Sequence, residues 1–149
     1  TAMGSRISKG IGQLYIAKAG EAPIETLKRS AQDLLKFLGE HPAYFRLMLR
    51  DHSVPMGYDP LNHRAAVNQN FALPTDMREM LTRLQHLIDK ACKEGVKLSA
   101  EDFAGCVHGF MLVRLSWLPT RVSEDGHVYV DHVQLQSTVD QIINRLLCV

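Results

Sequence analysis

Residues 99–118 (SAEDFAGCVHGFMLVRLSWL) constrain this chain more than any other stretch. They read as one helix. Ser99 is a favoured N-cap residue, and Asp102 stands three positions on, as in a capping box built with a shorter acid. Glu101 and Asp102 place negative charge in the first turn, where the helix dipole favours it. Pro119 stops the run. Apolar side chains go all the way round. Phe103, Val107, Phe110 and Trp117 line one side; Ala104, Met111, Leu112 and Leu115 line another. A surface helix needs only one apolar stripe, so this one is expected to be buried on two sides. In a chain of 149 residues the second side should face another subunit or a ligand. Gly105 and Gly109, four apart, permit a close helix–helix crossing at a cost in helix propensity. His108 and Arg114 are the strongly polar groups of its interior.

A chain with 46% hydrophobic and 22% charged residues has material for one core in one domain. The net charge of +1 argues against a surface dedicated to nucleic acid. No apolar run is long enough to cross a membrane and no secretory signal is visible. Cys92, Cys106 and Cys148 form an odd set without a CxxC pair, and read as reduced small hydrophobes of a cytoplasmic protein. Residues 1–5 (TAMGS) have the look of a cloning remnant, with Met3 not first. Residues 6–149 then make up the domain, and the natural chain is expected to start earlier.

The other elements follow from apolar spacing. Residues 6–18 carry Ile7, Ile11, Leu14 and Tyr15 at helical intervals, diluted by Gly10 and Gly12. Residues 24–38 form a strong helix with the stripe Leu27, Ala31, Leu34, Leu35 and Leu38. Gly39 is expected to end it as a C-terminal cap, and Pro42 to open the next helix after a sharp corner. Residues 52–60 read as a loop, residues 61–71 as a short helix. Pro74 and Thr75 introduce a long helix running to Glu94 and capped by Gly95, with Met77, Met80, Leu81, Leu84, Leu87, Ile88 and Ala91 in a 3–4 repeat. Residues 123–126 form a charged turn, residues 128–130 a short extended piece, and residues 133–147 a closing helix. The expected class is all-α, a bundle of about six to seven helices.

Chemistry-bearing patterns are few. Asp51, His52 and Ser53 are triad residue types, but three consecutive residues cannot orient one another in line, so a plain loop is the better reading. The sequence lacks a nucleophile elbow, a Walker loop, a dinucleotide fingerprint and an HExxH pair. His127, Asp131 and His132, near Glu124 and Asp125, are divalent-ion ligand types at a spacing that matches no standard site; no metal or cofactor is expected. His108 on an apolar helix is more often a satisfied core or interface residue than a ligand contact. A buried Arg114 needs a partner: a carboxylate of the protein, of a second subunit or of an acidic ligand, unless it snorkels to the helix end. Met48, Met77, Met80 and Met111 line either a pocket for flexible apolar ligands or an ordinary core.

Residues 37–51 (FLGEHPAYFRLMLRD) bring a helix, a G-x-x-P corner and an F-R-L-x-L-R-acid helix together. This arrangement resembles the regulatory domain of TetR-family transcription regulators. Within that family it is most similar to the branch that represses unsaturated fatty acid synthesis. There an Ile-Ala-Lys-x-Gly segment, here residues 16–20, precedes the same corner. A long helix ending in A-C-K-E-G (residues 91–95) and then an apolar helix with small residues also follow in the same order. The proline-bearing stretches 53–60 and 71–74 depart from the pattern, and no single ligand contact carries over by motif. The resemblance implies a homodimer through a four-helix interface made by the last two long helices of each subunit. It also implies a helix-turn-helix domain for DNA, absent from these residues, without which this chain should not bind an operator.

The expected function is therefore effector sensing and dimerisation for a TetR-like repressor. A hydrophobic ligand, a fatty acyl chain or its thioester, is expected near Phe45, Met48, Met80, Leu84, Met111 and Leu115, with His108 and Arg114 as polar candidates. Dimer contacts are expected from Phe103, Gly105, Gly109 and Phe110 of the apolar helix and from Val139, Ile143 and Leu146 of the last one. Two rivals stay open: a small all-α enzyme or haem or metal protein using His108 or His52, and a ligand-free dimeric scaffold.

Overall fold

The computed structural model describes residues 12–46 and 75–149. The expected helix over 61–71, the loop over 52–60, and Asp51, His52, Ser53 and Met48 lie outside the described residues. So does the first part of the expected helix over 6–18.

Helix α1 (Pro23–Glu40) starts with proline at its first position, where the missing N–H costs nothing. Its stripe of Leu27, Ala31, Leu34, Leu35 and Leu38 is fully or almost fully buried. The residue ahead of the cap, Glu21, ties the entry down. Its carboxylate accepts from Thr26 Oγ1 at 2.7 Å and from Arg29 Nε and Nη2 at 2.7 and 2.9 Å. Helix α2 (Thr75–Ala91) buries Met80, Leu84, Leu87 and Ile88. It stops three residues before the expected end. The Lys93 N–H leaves the helical pattern and donates to Leu147 O at 3.0 Å, pinning the connection to the C-terminus. Gly95 lies beyond the helix, in a left-handed turn at φ 85°.

Helix α3 (Ala100–Ser116) begins as expected, with the Asp102 N–H donating to Ser99 Oγ at 3.0 Å. Gln85 of α2 braces that start: its amide donates to Leu98 O, and its carbonyl oxygen accepts from the Ala100 N–H. Two short antiparallel strands follow, β1 (Thr120–Val122) and β2 (Val128–Val130), with Arg121 opposite Tyr129. A 3-10 turn (Val133–Leu135) leads into α4 (Gln136–Leu147), which inserts Val139, Ile143 and Leu147 into the core. Cys148, left-handed at φ 59°, closes α4. The Cys148 N–H donates to Arg145 O and the Val149 N–H to Asn144 O, in a Schellman arrangement.

α1 packs on α2, α3, α4 and β2, while α3 packs on α2 and α4. The described residues are thus mostly helical, with one two-stranded sheet whose β2 is the extended piece expected at residues 128–130, while β1 and the pairing were not expected. Gly39 differs from its expected role. The helix runs through it to Glu40, and His41 is the cap, its N–H donating to Phe37 O and Leu38 O. Gly39 is there for space: a Cβ would stand 2.8 Å from Val130 O and 2.9 Å from His132 Cβ. The helix breaks at His41, and residues 42–46 are helical beyond it. No helix among the described residues is long and apolar enough to cross a membrane.

Candidate functional site

The residues expected around a ligand converge on one cluster. Phe45, Met80, Leu84, Met111 and Leu115 are all buried members of the same apolar core. His108, only 6% exposed, is buried as well, as are the polar Thr26 and Ser30. The His108 Nε2 shares a 2.6 Å hydrogen bond with the Tyr15 hydroxyl. A buried phenol and imidazole can each tolerate the core only when paired, and here they pair with each other. Burial pushes the Tyr15 phenol above its ordinary range, so it stays protonated. The Phe103 and Tyr15 rings meet nearly perpendicular, 6.1 Å between centroids.

Tyr15 arrives there by an unusual route. The expected helix over 6–18 does not continue through it, because residues 13–18 are turn and coil. Tyr15 adopts a left-handed backbone at φ 62°, and its N–H donates to Ser30 Oγ at 3.0 Å. Arg83 of α2 donates to Gly12 O at 2.6 Å and Leu14 O at 2.9 Å. Arg29 of α1 donates to Ile16 O at 2.7 Å. Adjacent Arg29 and Ser30 of α1 and distant Arg83 of α2 therefore fix this segment on the two helices. Sequence spacing could register Tyr15 as apolar but not as the partner of His108.

The outer face of α3 has the second apolar surface. Gly105, Cys106, Val113 and Trp117 are exposed, Val113 at 41% and Trp117 at 71%. Gly109 and Phe110 are half-buried beside them. A Cβ added at Gly105 or Gly109 would meet nothing within 4 Å. Arg114 finds aromatic rings: its guanidinium carbon lies 5.7 Å from the Phe110 centroid and 5.6 Å from that of Trp117. Its Nε is buried without a hydrogen-bond partner among the described residues. Three of the expected dimer contacts lie elsewhere. Phe103, Val139 and Ile143 have no exposed surface and belong to the protomer's own core. Leu146 is half-buried at the core's margin.

The acidic turn after β1 also has an internal role. Asp125 accepts from Ser123 Oγ and from the His127 N–H, and Asp131 accepts from the Val133 N–H. Those carboxylates order the loop. Among the described residues no group of three or more His, Cys, Asp or Glu is placed to hold a metal ion. Compared with known proteins, the chain matches no family model, no curated protein and no solved structure.

Proposed function

We propose that the chain is the effector-sensing and dimerisation domain of a TetR-like transcriptional repressor, acting in the cytoplasm as a homodimeric helical bundle of six to seven helices. The outer face of α3 carries this reading. That helix puts His108, Met111 and Leu115 into the core and leaves Gly105, Cys106, Val113 and Trp117 outside. One rigid element thus has an apolar core on one side and, among the described residues, an exposed apolar face on the other. A hydrophobic effector, a fatty acyl chain or its thioester, would act on the first side and shift the packing of two copies on the second. Ligand and geometry are coupled only if the effector binds the two dimer arrangements unequally. DNA contact would come from a helix-turn-helix unit outside these 149 residues.

The scaffold reading keeps one supporting observation: the expected pocket residues are tightly buried in the core. A haem or metal role for His108 through Nε2 would have to break its bond to Tyr15. Native mass spectrometry of the purified chain separates these readings. A species at twice the 16.7 kDa protomer mass, carrying a small apolar molecule that organic solvent releases, supports the sensor. An empty dimer supports the scaffold. A monomer, or a bound chromophore, removes the sensor reading.

A further inference from the structure

An open cleft of about 410 Å³ lies between the corner that ends α1 and the β1–β2 hairpin. It is away from the core around His108, and nothing in the effector reading uses it. His41, Pro42, Tyr44 and Arg46 line one wall, and Thr120, His127 and Val128 the other. Its size is that of a small-molecule site.

Both walls are held firmly. The His41 ring lies 4.8 Å from Phe37 and 5.3 Å from Tyr44, and Phe37 stacks on Tyr44 at 5.4 Å and 10° between planes. The Tyr44 N–H donates to His41 O at 2.9 Å, which closes the corner. Across the cleft, the Ser123 N–H donates to His127 O, and the His127 N–H donates back to Ser123 Oγ. The two imidazoles meet edge to face at 5.9 Å. Gly39 sets the spacing of the walls, because its missing side chain lets Val130 and His132 close against α1.

The chemistry of the lining is specific. Three flat rings, those of His41, Tyr44 and His127, belong to it, and they favour a flat ring packed against them. Arg46 is an exposed cation at the rim, with its guanidinium carbon 5.9 Å from the Phe45 ring. A guanidinium suits a carboxylate, which it can grip with two parallel N–H groups. Glu40 on the same lining disfavours a more highly charged phosphate group. We propose that this cleft is a second ligand site, which takes a planar aromatic carboxylate with its ring against His41, Tyr44 and His127 and its carboxylate toward Arg46.

Indole-3-acetate is the probe, with indole and cyclohexanecarboxylate as controls that lack the carboxylate and the flat ring respectively. The readout is the histidine ring resonances of the intact chain, with those of His41 and His127 assigned from single substitutions. Indole-3-acetate should shift His41 and His127 saturably, with a dissociation constant of about 1 mM or tighter. Both controls should bind at least about fivefold more weakly. Arg46→Ala and His127→Ala should each weaken the probe by about fivefold or more; both positions are exposed, so the fold is kept. Shifts centred on other histidines, no saturation, equal binding of the three compounds, or an unaffected variant would overturn the proposal.

Discussion

At φ 62°, Tyr15 carries a backbone cost of about 1 kcal/mol or more that glycine would not. Its side chain must offset that cost, and the buried 2.6 Å bond to His108 is how it does so. Tyr15→Phe keeps the ring and strips His108 of this partner. We expect a loss of about 1–3 kcal/mol in urea unfolding. The same pair sets an alkaline limit. Burial holds the Tyr15 phenol above its ordinary range, so the folded state keeps a proton that the unfolded chain gives up near pH 10. The stabilisation is whole below that pH and shrinks above it, by about 1.4 kcal/mol per pH unit. Tyr15→Phe lacks this limb, and a gap between the two proteins that stays constant from pH 9 to 11 would contradict the buried pairing. Glu21 behaves in the opposite sense. Hydrogen bonds from Arg29, and then from Thr26, hold its carboxyl down at about 2. Its contribution is present above the ordinary carboxylate range and is lost as pH falls through about 2. Glu21→Gln should therefore be less stable than the parent at pH 6, with the difference closing at low pH in parallel acid titrations.

The helices were legible from the single apolar stripe of α1, expected from residue 24 and starting one residue earlier at Pro23, and from the Ser99 cap of α3. What was not legible came from distant parts of the chain. β1 is exposed along its whole length, so Thr120, Arg121 and Val122 offer no alternation to read. α2 ends early because Lys93 is claimed by Leu147 at the far end of the chain. Of the site, the apolar membership of Met80, Leu84, Met111 and Leu115 could be read from helix faces. The Tyr15–His108 pair could not, since a left-handed tyrosine has no spacing signature. Gly39 shows how local rules mislead. A glycine at a helix end suggests a cap, but this one makes room for the strand. Gly39→Ala would gain up to about 1 kcal/mol of helix propensity but force a methyl against a backbone oxygen at 2.8 Å. Overpacking of that kind costs about 1–3 kcal/mol. A net destabilisation of about 1–2 kcal/mol is expected in chemical denaturation, and a stabilised variant would refute the spacer role.

Across the whole molecule, Gly105 and Gly109 pose the opposite case. Each costs α3 about 1 kcal/mol relative to alanine, and each faces open space within the described residues. Nothing among the described residues accounts for that cost. A second copy would: two α3 helices crossing at this stretch could approach closely only where side chains are missing. The double variant Gly105→Ala, Gly109→Ala separates protomer from assembly. If the glycines serve a crossing, the isolated protomer gains about 1–2 kcal/mol, while the dimer weakens at least about tenfold in sedimentation equilibrium. Gly109→Leu should abolish the dimer outright. Cys106 provides an independent gauge, because it is exposed on the same face one residue from Gly105. In a symmetric crossing between Gly105 and Gly109, the two copies of Cys106 come near each other. A short bis-maleimide should then link two chains of the parent, fail with Cys106→Ser, and still succeed with Cys148→Ser, whose thiol is also exposed but lies past the end of α4. Dimers that persist unchanged in Gly109→Leu, or that crosslink only through Cys148, would place the interface elsewhere. They would also detach the proposed effector core from the exposed face of α3 through which it would move a partner.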